Sequence, residues 1–552
     1  MMQEQQFPLD LVARVRYNIC VYIIACVINY TYAYKENMNQ ENEKKAQTPA
    51  KQRKPLTKKQ KVILISVASA VAVVLVVVGV VLGIMLGGKN GNGDDYKMPS
   101  RKIQYEYYID HEDTVGFKIS DKFREDVPLT SFTKTEIISD GFISLSNDLL
   151  LKVEEGVSVG YSATYNFSFR GVVIAIVNVI VVDADEYIHT ATDLINVSTT
   201  QDKTYIVRND LDLSGVDVNI SRFIGSIHFN HHQIKNYNAS NGGLFKELNG
   251  ATITGLDLVD VTGSSVINDF GNFGVIVDYA SNGKLRYCSV QGEINVTSTA
   301  EADDILYLGG FVGYASALKR KNYLEVEPAY VHLISFLNVK VAGSGDFRIG
   351  GVVGGVKNAT LNNLYNYGKI TFDVSESQVS AFKNLYLGGI IGALTKEYDV
   401  VLQTYNLDES SGLYSYGDLD VDVLGGGVHN NLSVGGIFGY LENHSIVNCI
   451  YGGKMDVNLT RATLKAGGIV GVTDNNTTLK MNVRGIIVKG EMNIYSLSSV
   501  YAGGIIGEGY ETQYSSVEQS IEPTINTDKS KVQGTQVSTS HVANSKQKST
   551  QK

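Results

Sequence analysis

Acidic residues recur two or three apart along this chain, in "DLDVD" at 418–422, "DLVD" at 257–260 and "DLD" at 210–212. Two carboxylates facing each other across a groove are what glycoside hydrolysis requires. Carboxylates on adjacent strands can also hold calcium. In an extended strand, however, a spacing of two places such residues on one outward side, where water alone accounts for them. We expect solvated outward positions, with calcium the one cofactor to test for. "HFNHHQ" (228–233) gathers His228, His231 and His232. Imidazole is a common metal ligand, but no carboxylate or cysteine stands at ligand spacing beside them. The stretch reads as a polar loop between strands, and no metal site is assigned. "HEDTV" (111–115) lacks the second histidine of a zinc-protease helix, and no GxSxG, Walker loop or CxxC pair is present. "GSGDFRIGG" (343–351) is not followed by a helical pattern, so it does not cradle phosphate. We expect no catalytic residue, no cofactor-binding residue and no enzyme.

The elements that hold these residues are legible from composition. The 552-residue chain carries 55 glycines, 7 prolines, 33 tyrosines and no tryptophan. Many glycines with few prolines fit tight turns between strands, and tyrosine suits strand surfaces. The formal net charge is −9, which argues against nucleic acid as a partner. Four cysteines, Cys20, Cys26, Cys288 and Cys449, are too few for a disulfide scaffold. Cys288 and Cys449 stand at similar offsets in "YCSVQGEINV" and "NCIYGGKMDV", which predicts one buried position repeated.

One phrase recurs six times: LGGFVG (308–313), IGGVVG (349–354), LGGIIG (387–392), VGGIFG (434–439), AGGIVG (466–471) and AGGIIG (502–507). Its glycines are Gly309, Gly310, Gly313, Gly350, Gly351, Gly354, Gly388, Gly389, Gly392, Gly435, Gly436, Gly439, Gly467, Gly468, Gly471, Gly503, Gly504 and Gly507. The phrases stand 41, 38, 47, 32 and 36 residues apart, with worn copies earlier at "GGLF" (242–245) and "GNFGVIV" (271–277). A variable period of this length marks a solenoid. A second apolar stretch follows each phrase, and then an alternating one such as "GKITFDV" (368–374), where Ile370, Phe372 and Val374 share a side. Each repeat therefore reads as three short strands joined at glycine corners. Such a unit buries its apolar side only by stacking on copies of itself, which gives a parallel β-helix over 184–510. The paired glycines permit a sharp corner and close backbone approach.

The phrase, with "DLINVSTTQDKTYIVRNDLDLSG" and "NGGLFKELNGATITGLDLVDV" ahead of it, resembles the repeat-containing surface proteins with the GLUG motif. The resemblance covers about 185–509. It implies a right-handed parallel β-helix and a role in adhesion or surface display, in some members beside a peptidase domain. The last phrase, "AGGIIGEGY", departs from the pattern because no second and third strand are read after it, leaving the last coil unfinished or capped by something else.

Ahead of the solenoid, 101–183 shows short alternating strands and reads as a small β-sandwich that resembles immunoglobulin-like modules of surface proteins. Residues 87–100 form a linker. The tail 511–552 is polar and reads as disordered. Residues 62–86, "VILISVASAVAVVLVVVGVVLGIML", contain no charge, and a helix of that length spans a hydrocarbon core of about 30 Å. The lysines and arginines of 44–61 precede it and few follow it, which places 1–61 inside and the rest outside. The apolar stretch 17–34 is a second span, a signal sequence, or a sign that translation starts at Met38; we favour the last. Beyond the anchor, Asn166, Asn196, Asn219, Asn238, Asn295, Asn358, Asn431, Asn443, Asn458, Asn475 and Asn476 each open an N-x-S/T sequon, which can carry glycan only where it faces solvent.

The whole is an all-β chain, a parallel β-helix preceded by a small β-sandwich and a transmembrane helix. It reads as a single-pass cell-membrane protein that displays its C-terminal part outside, for adhesion to a host cell, matrix or glycan ligand. The alternatives are a surface polysaccharide lyase or hydrolase on the same scaffold and a structural coat protein.

Overall fold

The computed structural model describes residues 103–543 apart from 120–132, 140, 170–171, 317–329, 359–360, 375–381, 396–407, 424–430, 461, 475–480, 497–498, 510–511, 520–523 and 527–540. The apolar stretches 17–34 and 62–86 and the sequons at Asn475 and Asn476 lie outside the described residues. Among the described residues no helix is long and apolar enough to cross a membrane.

Strands dominate what is described. The first seven build a small module: β1 (Ile103–Asp110), β2 (Phe117–Lys118), β3 (Thr133–Ser139), β4 (Ile143–Leu145), β5 (Leu150–Val153), β6 (Ser162–Phe169) and β7 (Val172–Val182). One sheet has the order β1-β7-β6-β3 and the other β2-β5-β4. β1 runs parallel to β7, while β7–β6 and β6–β3 are antiparallel. Alternate residues of both sheets, among them Tyr107, Ile109, Leu151, Tyr165 and Val179, meet in one buried apolar cluster.

From Glu186 onward the strands stack in register as parallel sheets. One turn of the solenoid shows the plan. Phe382–Gly388 lies on a first face, Ile391–Thr395 on a second, Asp408–Ser415 on a third and Leu419–Val423 on a fourth. Each pairs with its counterpart a turn later: Leu387 with Val434, Ile391 with Phe438, Leu413 with Cys449 and Val421 with Val457. The second face is an eight-stranded sheet from Phe245–Asn249 to Ile506–Glu508. Four strands per turn replace the three expected. The glycine phrase is not one strand: its first glycine ends the first-face strand, and the next strand begins three residues later. Inward and outward residues alternate at period two away from this corner. Ile370, Phe372 and Val374 are fully buried, and Asp373 is exposed. A single apolar core runs from Ile188 to Ile506, and burying each Leu or Ile of it contributes about 1.5–3 kcal/mol.

The expectation that no further strands follow the last phrase needs correction. Thr512–Gln519, Thr524–Asn526 and His541–Ala543 pair in parallel with the preceding coil. That coil ends in a row of backbone N–H and C=O groups that call for partners. A polar segment can supply them, because ladder bonds involve the backbone and not the side chain.

Candidate functional site

The repeated glycines sit where the chain turns from the first face to the second. Their φ angles are not left-handed, unlike those of the turn glycines elsewhere, so the requirement is space. A Cβ on Gly388 would collide with the carbonyl of Ile391, and one on Gly389 with the carbonyl of Gly436 in the next coil. The same relation links Gly310 to Gly351, Gly351 to Gly389, Gly436 to Gly468 and Gly468 to Gly504. The third glycine lies against the first-face strand of the coil before: Gly392 against Ile349, Gly439 against Leu387 and Gly507 against Ala466. The N–H of Gly389 donates to Gly435 at 3.1 Å and that of Gly436 to Gly467 at 3.2 Å. Across the interior the second glycine faces a third-face side chain: Asn366 against Gly351, Ser415 against Gly389, Tyr451 against Gly436. These residues therefore build the corner and carry no chemistry.

The histidines stand at a turn between two strands, as read from the sequence, but that turn is largely buried. His228, Asn230 and His231 are buried, because the small module packs onto them. The backbone N–H of Tyr108 donates to Asn230 Oδ1 at 2.8 Å, and Asn230 Nδ2 donates to the Tyr108 carbonyl at 2.8 Å. The Tyr108 ring stacks on His228 at 3.6 Å, and His231 meets Tyr105 and Tyr107 edge-on. Burial holds the His228 imidazole down to about 3, so it is neutral at physiological pH. Glu106, buried, accepts from the Tyr108 hydroxyl at 2.5 Å and pairs with Arg286 at 3.4 Å. His232 is half-buried; its Nδ1 lies 3.3 Å from Asp210.

Asp257 also corrects an expectation: it is buried, bonded to Ser289 Oγ and 3.2 Å from His231 Nδ1. Serine, aspartate and histidine are all present here, but the carboxylate lies between the other two. The imidazole therefore has no hold on the serine proton, and this is not a nucleophile–base arrangement. Ser410 Oγ and His444 Nε2 do meet, at 2.8 Å, yet both residues are sealed inside the solenoid. Sequence reading missed this pair.

The remaining acidic runs point outward as expected. Asp212 is exposed, and hydrogen bonds from Asn236 and Ser214 hold it down to about 2. Asp420 and Asp422 alternate with inward Leu419, Val421 and Val423, and Asp422 lies beside Asp373 of the previous coil. Partial burial, against a hydrogen bond from Asn458, and the charges of Asp420 and Asp373 push the Asp422 carboxyl up. Among the described residues no group of three or more His, Cys, Asp or Glu is placed to hold a metal ion. Cys288 and Cys449 are free, buried and in one inward column through Leu333, Leu364 and Leu413. Burial pushes both thiols up to about 12.

The sequons divide by exposure. Asn196, Asn219, Asn238, Asn295 and Asn431 are exposed, and Asn166, Asn358 and Asn458 are half-buried. Asn443 is fully buried in a left-handed corner, φ 46°. A glycan there is incompatible with the fold.

An aromatic ridge stands on the solenoid. Phe336, Tyr367 and Tyr416, on three successive coils, stack at 5.0 and 5.2 Å with their planes within 15°. Phe336 is 41% exposed and Tyr416 40%. The ridge stands where the third face turns to the fourth, and the Tyr416 ring lies over Gly452. Two residues before each tyrosine, Tyr365 and Tyr414 form a second stack at 4.8 Å. The sequence carries the signal as "YNYG" (365–368) and "YSYG" (414–417). Stacked rings cover one another's faces and offer their edges to a partner.

No family model matches this chain. No curated protein matches it either. Among solved structures, a "putative immunoglobulin A1 protease" from Bacteroides ovatus is similar at 17% identity and TM-score 0.33, over 61% of this chain and 81% of that one. A likeness this distant does not bear on activity.

Proposed function

We propose that this chain is a single-pass, membrane-anchored surface protein whose solenoid binds a ligand on a host cell, matrix or glycan and does no chemistry. The observation that carries the reading is the stacked aromatic ridge Phe336–Tyr367–Tyr416, whose end members Phe336 and Tyr416 are exposed. Exposed aromatics cost solubility and mark interaction surfaces. The uncharged stretch 62–86 and its basic flank support the anchor and its direction. We place the chain with the GLUG-motif β-helix proteins on its phrases, and its small module with immunoglobulin-like modules on its two-sheet plan.

The test is adhesion of cells carrying the full chain to host cells, matrix and glycan surfaces. Wild type should adhere, and a Phe336→Ser/Tyr416→Ser variant should lose at least about tenfold, the loss of two anchoring aromatics. Adhesion unchanged in the variant removes the ridge from the reading. No adhesion by wild type removes the reading.

One observation favours a second reading, a carbohydrate-active enzyme. Asp373 and Asp422 are side-by-side carboxylates on adjacent coils, and the pKa of Asp422 is raised. Turnover of a polysaccharide by wild type, abolished by Asp422→Asn, would favour it.

A further inference from the structure

We propose that the small module is a mechanical clamp that carries load between the chain ahead of Ile103 and the solenoid. The proposal rests on the surface-display reading only for the origin of the load. β1 opens the module, and β7 closes it with three residues between its end and the first solenoid strand, Glu186–Ile188. These two strands are direct neighbours and parallel, paired without interruption from Ile103↔Ala175 to Asp110↔Val182.

Parallel pairing has a mechanical consequence. Tension enters at the N-terminal end of β1 and leaves at the C-terminal end of β7, which are opposite ends of the paired stretch. The strands can separate under that tension only by sliding, which loads all the ladder bonds together. An antiparallel pair pulled from the same termini would peel, one bond at a time.

The strand that takes the load is also protected. Tyr105 through Asp110 are all buried, so water cannot readily replace a stretched ladder bond. On its other edge β1 is fastened to the solenoid. Both main-chain groups of Tyr108 bond to Asn230 at 2.8 Å, and Glu106 pairs with Arg286. A second consequence follows: the load passes into the solenoid through β1 as well as through β7.

Forced unfolding reads the barrier to strand separation, so pulling on single molecules of the full chain tests the clamp. With handles at Ser100 and Asp202 the pair is loaded in shear. With handles at Val115, 79% exposed just beyond the end of β1, and Asp202, it is loaded as a peel. The expected result is a rupture force several-fold higher in shear. Equal forces, or a higher peel force, overturn the proposal. Asn230→Ala should lower the shear force with the circular-dichroism spectrum unchanged; an unchanged shear force overturns the solenoid's part in it. The adhesion reading fails separately: a chain without a ligand would still show the force difference.

Discussion

A methyl group on Gly389 has nowhere to go. It would meet the Gly436 carbonyl and the Ser415 side chain closer than real Cβ atoms approach. Gly389→Ala should destabilise the solenoid by about 1–3 kcal/mol, the usual range for overpacking, seen as a lower melting temperature. Gly271→Ala is the control: its nearest neighbour stands 3.8 Å away, and its stability should change by less than about 0.5 kcal/mol. The thiols make a second test. Cys288 and Cys449 have folded-state pKa values near 12, above the ordinary 9. The neutral form is the one the fold retains, so their contribution is whole below about pH 9 and is lost as pH rises toward 12. In a chain with Cys20 and Cys26 replaced by serine, neither thiol should react with an aromatic disulfide reagent at pH 8 until denaturant is added. Prompt reaction without denaturant would contradict their burial. That the cysteines share a column was legible from equal offsets after two glycine corners. The burial of His228, Asn230 and His231 was not, because what buries them lies 122 residues earlier in the chain.

Strands were legible because alternation is local. "GKITFDV" announces its inward side residue by residue. The corner between the first and second faces was not, because Leu387 through Ile391 are all buried and the alternation vanishes there. A run without alternation reads as one strand, and so four strands per turn were counted as three. The described strands after Gly507 were not legible for a related reason: side chains say little where the partner is a neighbouring backbone. At this level the sequons give a prediction. Produced in a glycosylating host, the folded protein should carry glycans at exposed sequons such as Asn219 and Asn295 and none at Asn443. Mass spectrometry of glycopeptides reads this directly, and a glycan on Asn443 in folded protein would contradict the corner geometry. One further structural device lies on the third face. Successive coils hold one left-handed residue in register, Asn363, Gly412, Asn448 and Gly485 in four of them. In the two coils before these the position is taken by Tyr287 and His332, and one coil earlier by Gly255. Their rings pack together at 5.6 Å, which offsets a conformation that costs a non-glycine residue about 1–2 kcal/mol.

For the molecule as a whole, the parallel solenoid, the module fastened beside its first coils and the aromatic ridge suit a protein that reaches outward and holds on. Everything in that account requires the described part to stand outside the membrane, with 1–61 within. The direct test is an amine-reactive label that cannot cross membranes, applied to intact cells and to lysed cells, with the labelled peptides identified by mass spectrometry. Lys152 and Lys489, both exposed, should be labelled on intact cells, while Lys51, Lys54 and Lys58 should be labelled only after lysis. Labelling of the basic segment on intact cells, with Lys152 and Lys489 protected until lysis, would contradict the account.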